Sequence, residues 1–150
     1  MFEVIYYSKS GNTQKVAEAI AAELEVNAED VKTKDKLTKD SFLILGSGNY
    51  FPLPGRGFKK LIADNDFTGR KVALFGTSGG GKGREITALG KMVKAKGAEV
   101  IGKFYCKGKF LFFISRKHPD SDDLENARIF AGELKKVCEQ NVGAAKKTVR

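Results

Sequence analysis

Short apolar runs alternate along the chain with stretches whose apolar residues recur at helical spacing. The runs predict strands at residues 2–7, 41–45, 71–75 and 98–105, with a weaker one at 31–33. The amphipathic stretches predict helices at residues 13–24, 58–63, 85–96 and 124–138. Strands that are apolar throughout and alternate with helices are typical of a parallel sheet covered by helices on both faces. The pattern therefore predicts an α/β fold.

The length of the chain fits one domain. At 150 residues it can bury roughly 70% of its unfolded surface in a single core, so we expect residues 1–150 to form one domain, with residues 142–150 as a frayed basic tail. The chain enters a strand at once, with no cleavable leader, and no run approaches the ~20 apolar residues of a membrane span. We therefore expect a cytoplasmic protein.

Two cysteines, Cys106 and Cys138, lie far apart in the sequence. Neither belongs to a C-x-x-C pair, and neither has a histidine nearby that would complete a metal site. We predict that both are free thiols, buried or partly buried.

The first glycine-containing loop lies between the first strand and the first helix. It reads Ser8, Lys9, Ser10, Gly11, Asn12, Thr13. Three hydroxyls, one amide and a glycine are gathered where a helix directs its free N–H groups and its positive dipole end outward. This composition predicts a site for a terminal phosphate. The alternative is an ordinary turn in which Ser10 or Asn12 only caps the helix.

The pattern S-x-S-G-N-T behind a first strand resembles the FMN phosphate loop of flavodoxins. The likeness extends over nearly the whole chain, because the length, the order of elements and two further glycine-rich loops all match a short-chain flavodoxin. Flavodoxins are themselves the standard example of a doubly wound sheet of order 2-1-3-4-5, with FMN at the switch point between strands 1 and 3. The resemblance implies this five-stranded parallel fold, FMN as the cofactor, and its phosphate on residues 8–13.

The second loop follows the third strand and so lies at the same edge of the sheet. It comprises Gly46, Ser47, Gly48, Asn49, Tyr50 and Phe51, followed by Pro52, Leu53 and Pro54. This chemistry suits an isoalloxazine ring, on which either Tyr50 or Phe51 would stack. The resemblance implies that the Gly48–Asn49 peptide changes orientation with redox state, which a glycine makes easier. The alternative is a loop that packs only on its own domain.

The third loop follows the fourth strand and almost spells a nucleotide-binding P-loop. Residues 76–82 fit G-x-x-x-x-G-K, but Gly83 stands where a Mg²⁺-binding hydroxyl is needed, which argues against a nucleotide hydrolase. The resemblance instead implies that backbone N–H groups bind the flavin ring, from Thr77, Ser78, Gly79, Gly80 and Gly81. The loop lacks the aromatic residue usual in the family, which implies a more open flavin face.

The net charge of +9 departs from that of flavodoxins, which are generally acidic. Residues 1–30 carry −4, so an excess of +13 lies in residues 31–150. A basic face steers acidic partners, so we expect redox partner proteins with an acidic docking surface. Nucleic acid is disfavoured because no nucleic-acid-binding motif accompanies the lysines. The remaining alternative is a solvated surface without a partner.

The segment 108–119 is additional to the strands and helices that a five-stranded fold of this type requires. Its three phenylalanines belong either to the core or to an exposed apolar strip that binds a partner. His118 within it has no nucleophile or acid beside it that would indicate a catalytic site.

These features together predict an electron carrier with bound FMN, without a catalytic side chain and without a metal. The competing function is an FMN-dependent NAD(P)H reductase of quinones or nitro compounds, but the chain lacks the insertions that normally build a substrate pocket. A flavodoxin-fold scaffold without flavin is a third alternative, and the intact loop at residues 8–13 argues against it.

Overall fold

A parallel sheet organises the molecule. The computed structural model describes residues 1–48, 54–78, 83–107 and 119–148. Within them the sheet has the order β2-β1-β3-β4-β5, and its strands are β1 (Phe2–Tyr7), β2 (Ala28–Asp30), β3 (Phe42–Gly48), β4 (Lys71–Ser78) and β5 (Glu99–Lys107). The helices are α1 (Asn12–Glu23), α2 (Phe58–Asp64), α3 (Arg84–Ala95) and α4 (Ser121–Thr148). The predicted fold class and strand order 2-1-3-4-5 are confirmed.

Helices cover the sheet on both faces, and each face has its own apolar core. Val4, Ile44 and Ala73 point towards α1 and α4, whereas their neighbours Ile5 and Leu74 point towards α2 and α3. This alternation follows from the two-residue period of a strand. Because both faces are covered, the central strands are apolar at most positions, which is the reason that they were recognisable in the sequence.

The register of the central strands aligns their carboxyl ends. In the ladder between β1 and β3, Tyr7 lies opposite Ser47. In the ladder between β3 and β4, Ser47 lies opposite Gly76 and Gly48 lies opposite Thr77. The three loops that leave these strands therefore start side by side at one edge of the sheet.

The predicted position of the second strand was wrong. The strand lies at Ala28–Asp30, and the predicted segment Val31–Thr33 forms a 3₁₀ turn. The turn forms because the Asp30 carboxylate accepts the N–H of Lys32 at 2.8 Å, as such side chains do at helix starts. Val31 is the first residue of this turn, and its side chain is buried in the core. Its apolar character therefore marks a core position outside the strand.

The last helix is longer than predicted. It continues ten residues beyond Cys138, as far as Thr148, and so includes most of the segment that we expected to be a basic tail. Fraying of that segment stays a prediction, as does the single domain over residues 1–150. Residues 108–118 lie outside the described part of the chain, so the role of that segment stays a prediction too.

Both cysteines are free thiols, as predicted. Cys106 is buried on β5 and Cys138 is half-buried on α4. None of the helices that the structure describes is long and apolar enough to span a bilayer.

A buried carboxylate ties together the edge of the sheet where the strands begin. Glu3 accepts the N–H of Thr38 at 3.1 Å and the hydroxyl of Ser41, and the Lys34 ammonium lies 2.9 Å from it. Burial by itself raises the pKa of this carboxyl, but the hydrogen bonds from Ser41 and Lys34 outweigh it and hold the pKa below its usual range. Glu3 therefore joins β1 to the segment that leads into β3.

We predict that Glu3→Gln destabilises the protein at pH 7 by about 2 kcal/mol, because an amide cannot accept all of these charge-assisted bonds. The lowered pKa means that the carboxylate stabilises the fold above its unfolded pKa of about 4.3 and loses that effect as the pH falls through the folded value. Urea unfolding at a series of pH values should therefore show the difference from wild type shrinking in acid. An equal loss at all pH values would contradict this account.

Candidate functional site

The first loop ends at a helix that no side chain caps. Gly11 is the N-cap of α1, with a φ of 87°, a left-handed conformation that favours glycine. Its N–H donates to the hydroxyl oxygen of Ser8 at 3.0 Å. The alternative in which Ser10 or Asn12 caps the helix is therefore wrong. The first turn of α1 keeps its N–H groups and its positive dipole end directed into the loop.

The polar side chains of this loop fall into two groups. Ser8 is half-buried, and Lys9 and Ser10 are exposed, whereas Asn12 and Thr13 are buried. The hydroxyl of Thr13 lies 2.7 Å from that of Thr77 at the end of β4. This contact forms a buried link between the first and the third loop, and the role of Thr13 in binding a phosphate stays a prediction.

The second loop begins in a buried strand end. Gly46, Ser47 and Gly48 are the last residues of β3, and all three are buried. The Ser47 hydroxyl donates to the Gly48 carbonyl at 3.0 Å, which is the carbonyl of the Gly48–Asn49 peptide that we expect to reorient. Asn49, Tyr50 and Phe51 lie outside the described residues, so the choice of stacking residue stays a prediction.

The third loop also begins in a buried strand end. Thr77 and Ser78 close β4, and both are buried. The predicted site residues Gly79, Gly80 and Gly81 lie outside the described part of the chain. The structure thus brings together the described beginnings of all three predicted loops. Which of these residues contact the cofactor stays a prediction.

A buried carboxyl behind the third loop was missed by the sequence analysis. Glu85, in the first turn of α3, is 0% exposed, and among the described residues neither of its carboxyl oxygens has a hydrogen-bond partner. It packs on Gly76, where a Cβ would lie 2.3 Å from Oε1. Burial raises the pKa of Glu85, so the carboxyl keeps its proton to a higher pH than an exposed glutamate.

The spacing of residues in α3 could have revealed this carboxyl. Glu85 precedes the buried Leu89 by four residues and the buried Val93 by eight, which is the period of one helix face. An acidic residue on an apolar face is costly unless it is neutral or paired. Position 76 requires glycine because the Glu85 carboxyl occupies the space that a side chain there would need.

The thiol of Cys106 lies at the same end of the sheet, opposite Thr77 in the ladder between β4 and β5. Burial, with smaller contributions from Asp123 and Asp120, raises the pKa of this thiol to about 12. At neutral pH this group is therefore a protonated thiol, which is a poor nucleophile.

The donors of the first loop fit a phosphate monoester. Serine hydroxyls and the N–H groups at the start of α1 are hydrogen-bond donors within one loop, and the loop itself contains no carboxylate that would repel an anion. A Cβ at Gly11 would have nothing within 4 Å, so the space beside the helix start is open. The residues present therefore suit the phosphate end of FMN.

Comparison with known proteins gives one consistent family. The model of the flavodoxin domain matches residues 3–112. An uncharacterised protein of Methanocaldococcus jannaschii is 31% identical over 139 residues, which are 83% of this chain and 91% of that protein. A flavodoxin of Megasphaera elsdenii is 32% identical over 120 residues, which are 68% of this chain and 82% of the relative.

Solved structures agree on the fold. The crystal structure of Fusobacterium nucleatum flavodoxin bound to flavin mononucleotide matches with a TM-score of 0.63 and 18% identity, covering 90% of this chain and 96% of that one. At this identity the match speaks for the fold alone. The resemblance that we drew from the loop at residues 8–13 is confirmed by the family model and the relatives.

We predict that Glu85→Gln becomes more stable relative to wild type as the pH rises. The raised pKa means that the native state keeps a proton that the unfolded state releases above about pH 4.3, so wild type loses stability until the pH passes the folded pKa. Glutamine has no proton to release. Urea unfolding from pH 4 to 8 measures the difference.

Glu3→Gln is the matched control, because it removes a buried carboxyl whose pKa is shifted the other way. Its difference in unfolding free energy from wild type should change in the opposite direction and at lower pH, as the pH falls below about 4.3, so the control is measured down to about pH 3. If the difference in unfolding free energy between Glu85→Gln and wild type does not vary with pH, Glu85 is not held neutral in the folded protein.

Proposed function

Because the chain belongs to the flavodoxin family, we propose that it binds FMN noncovalently at the carboxyl edge of its sheet and carries electrons between other redox proteins. The observation that supports this proposal is the register that aligns the starts of three glycine-containing loops, next to a helix start whose N-cap, Gly11, has no side chain. Ligands of doubly wound sheets bind at such an edge.

The phosphate would lie at the first loop. The hydroxyls of Ser8 and Ser10, together with the N–H groups at the start of α1, would hold it. Lys9, Gly11, Asn12 and Thr13 complete the loop; Gly11 contributes its backbone conformation, and Thr13 joins the loop to Thr77. This arrangement binds an anion without an arginine.

The flavin ring would lie between the second and third loops, at residues 46–51 and 77–81. When bound, it supplies the electron-accepting group. The role of the protein is to orient the ring, to limit its contact with water and to set the charge around it. In this proposal no side chain of the site acts as an acid, base or nucleophile.

The redox partners would be proteins with an acidic docking surface, because the chain has a net charge of +9. The same charge favours electrons on the flavin. The midpoint potential of the second one-electron reduction should therefore be less negative than in a protein whose flavin is surrounded by acids.

We expect the purified protein to bind one FMN per chain and to accept two electrons in separate steps. Anaerobic titration with dithionite, followed by visible spectroscopy, should reveal a distinct absorbing species after one electron equivalent. Loss of colour in one two-electron step would favour hydride chemistry, and a chain that takes up no FMN would overturn the proposal.

Steady-state oxidation of NADPH with a quinone as acceptor separates a carrier from a reductase. An electron carrier should turn over NADPH only when a separate reductase is added. Rapid turnover by the protein with bound FMN alone would assign the chain to the FMN-dependent reductases.

We predict that Ser10→Ala weakens FMN binding about tenfold, or about 1.4 kcal/mol, because one hydrogen bond to a charged phosphate is lost. Riboflavin has the same ring without the phosphate, so its affinity should not change. Fluorescence titration of the apoprotein measures both affinities.

Ser121→Ala is the control, since it removes an exposed serine hydroxyl at the start of a different helix. It should leave both affinities unchanged. An equal loss for FMN and riboflavin in Ser10→Ala would show that the first loop does not bind the phosphate.

A further inference from the structure

The two helical layers carry opposite charge. The layer of α2 and α3 with its adjoining loops, residues 54–66 and 83–97, has seven cations and three acids. The layer of α1 and α4, residues 12–25 and 119–148, has six cations and nine acids. All seven cations of the first layer are exposed: Arg56, Lys59, Lys60, Arg84, Lys91, Lys94 and Lys96. The layer of α2 and α3 is therefore basic, whereas the layer on the other face of the sheet is acidic.

A groove lies on this basic layer between α2 and α3. Its volume is about 560 Å³, and its lining includes Pro54, Ala63 and Met92 together with the exposed cations Arg56, Lys59 and Lys60, which we call its rim. The acid in its lining, Asp64, pairs with Lys60 at 2.7 Å. Among the described residues Arg56 and Lys59 have no ion-pair partner, so two cations are left to meet an incoming acidic group.

The groove opens beside the candidate cofactor loops. Arg56 and Lys59 follow the second loop, and Arg84 follows the third. Helices that connect parallel strands begin at the carboxyl edge, so these three cations stand at the edge where the flavin would lie. A partner held by them would be close to the flavin, as electron transfer requires.

We propose that the groove between α2 and α3 docks an acidic electron-transfer protein, with an apolar side chain of the partner in the groove and its carboxylates at Arg56 and Lys59. The inference rests on the proposed function, since it places the partner beside the flavin. An apolar floor with a cationic rim has the anatomy of a protein interface, in which a buried anchor is surrounded by polar contacts. The phosphate backbone of a nucleic acid has no group that fills such a floor.

The test uses the protein with FMN bound and a plant-type [2Fe–2S] ferredoxin, an acidic protein, as the electron donor. In each reaction one electron leaves the reduced cluster of the ferredoxin and enters the oxidised flavin. Stopped-flow absorbance gives the second-order rate constant at several salt concentrations. Reduction by dithionite, which needs no docking, is measured in parallel.

Reversal of the two rim charges, Arg56→Glu with Lys59→Glu, should lower the low-salt rate constant at least tenfold, within the range of electrostatic steering. It should also flatten the dependence on salt. The matched control, Lys39→Glu with Lys136→Glu, makes the same change in net charge at exposed positions away from the groove, and its rate constant should change less than twofold.

Ala63→Trp tests the groove itself, because the added ring fills it without changing charge. It should slow the reaction while leaving the salt dependence as in wild type. Ala22→Trp, at an exposed position of α1, should have no effect. Dithionite reduction should be the same in all variants, which shows that each is folded and binds FMN.

Equal rate constants for the two charge-reversed variants would overturn the docking proposal, and so would a wild-type protein that reacts with dithionite but not with the ferredoxin. In both cases the proposed function stands. Failure to bind FMN or to be reduced by dithionite would overturn the proposed function instead. Dimerisation, or binding of a random DNA duplex, that is lost with the rim charges would assign the groove to another occupant and overturn the proposal.

Discussion

The pairing of β3 with β1 on one side and β4 on the other determines where the three loops begin. Ser47 lies opposite both Tyr7 and Gly76. The loops that follow these three strands therefore begin next to one another at the carboxyl edge of the sheet. A shift of one residue in this register would move every buried side chain of β3 to the other face of the sheet. The cores on the two faces therefore hold the loops in place as well as stabilising the fold.

Two buried carboxyls show how the ends of this sheet differ. At the amino edge, Glu3 is surrounded by donors from Thr38, Ser41 and Lys34, so it is stable as an anion. At the carboxyl edge, Glu85 meets the bare backbone of Gly76 and has no donor among the described residues. The first arrangement ties strands together, whereas the second favours a neutral acid behind the third loop.

Most of the fold could be predicted from the sequence because the central strands are buried on both faces and read as continuous apolar runs. The short edge strand β2 could not be placed correctly, since its residues are only half-buried. The buried apolar residue Val31 beside it led to the strand being predicted at residues 31–33 instead. The first loop was recognisable because hydroxyls and a glycine stand together in the sequence. The bond between Thr13 and Thr77 joins residues distant in the chain, so it appears only in three dimensions. The burial of Glu85 could have been predicted, because its spacing from Leu89 and Val93 places it on the apolar face of α3.

The charge of the protein gains meaning only when it is placed on the fold. The sequence shows an excess of lysine, but the separation of a basic layer from an acidic one depends on which helices share a face. Binding of FMN at the carboxyl edge is the central claim, and backbone amide NMR of the ¹⁵N-labelled apoprotein during addition of FMN tests it most directly. The account predicts large shifts at residues 8–13, 46–48 and 77–78, with little change at Lys34, Ser41 and Arg70 at the opposite edge; shifts confined to that opposite edge, or none at all, would contradict it.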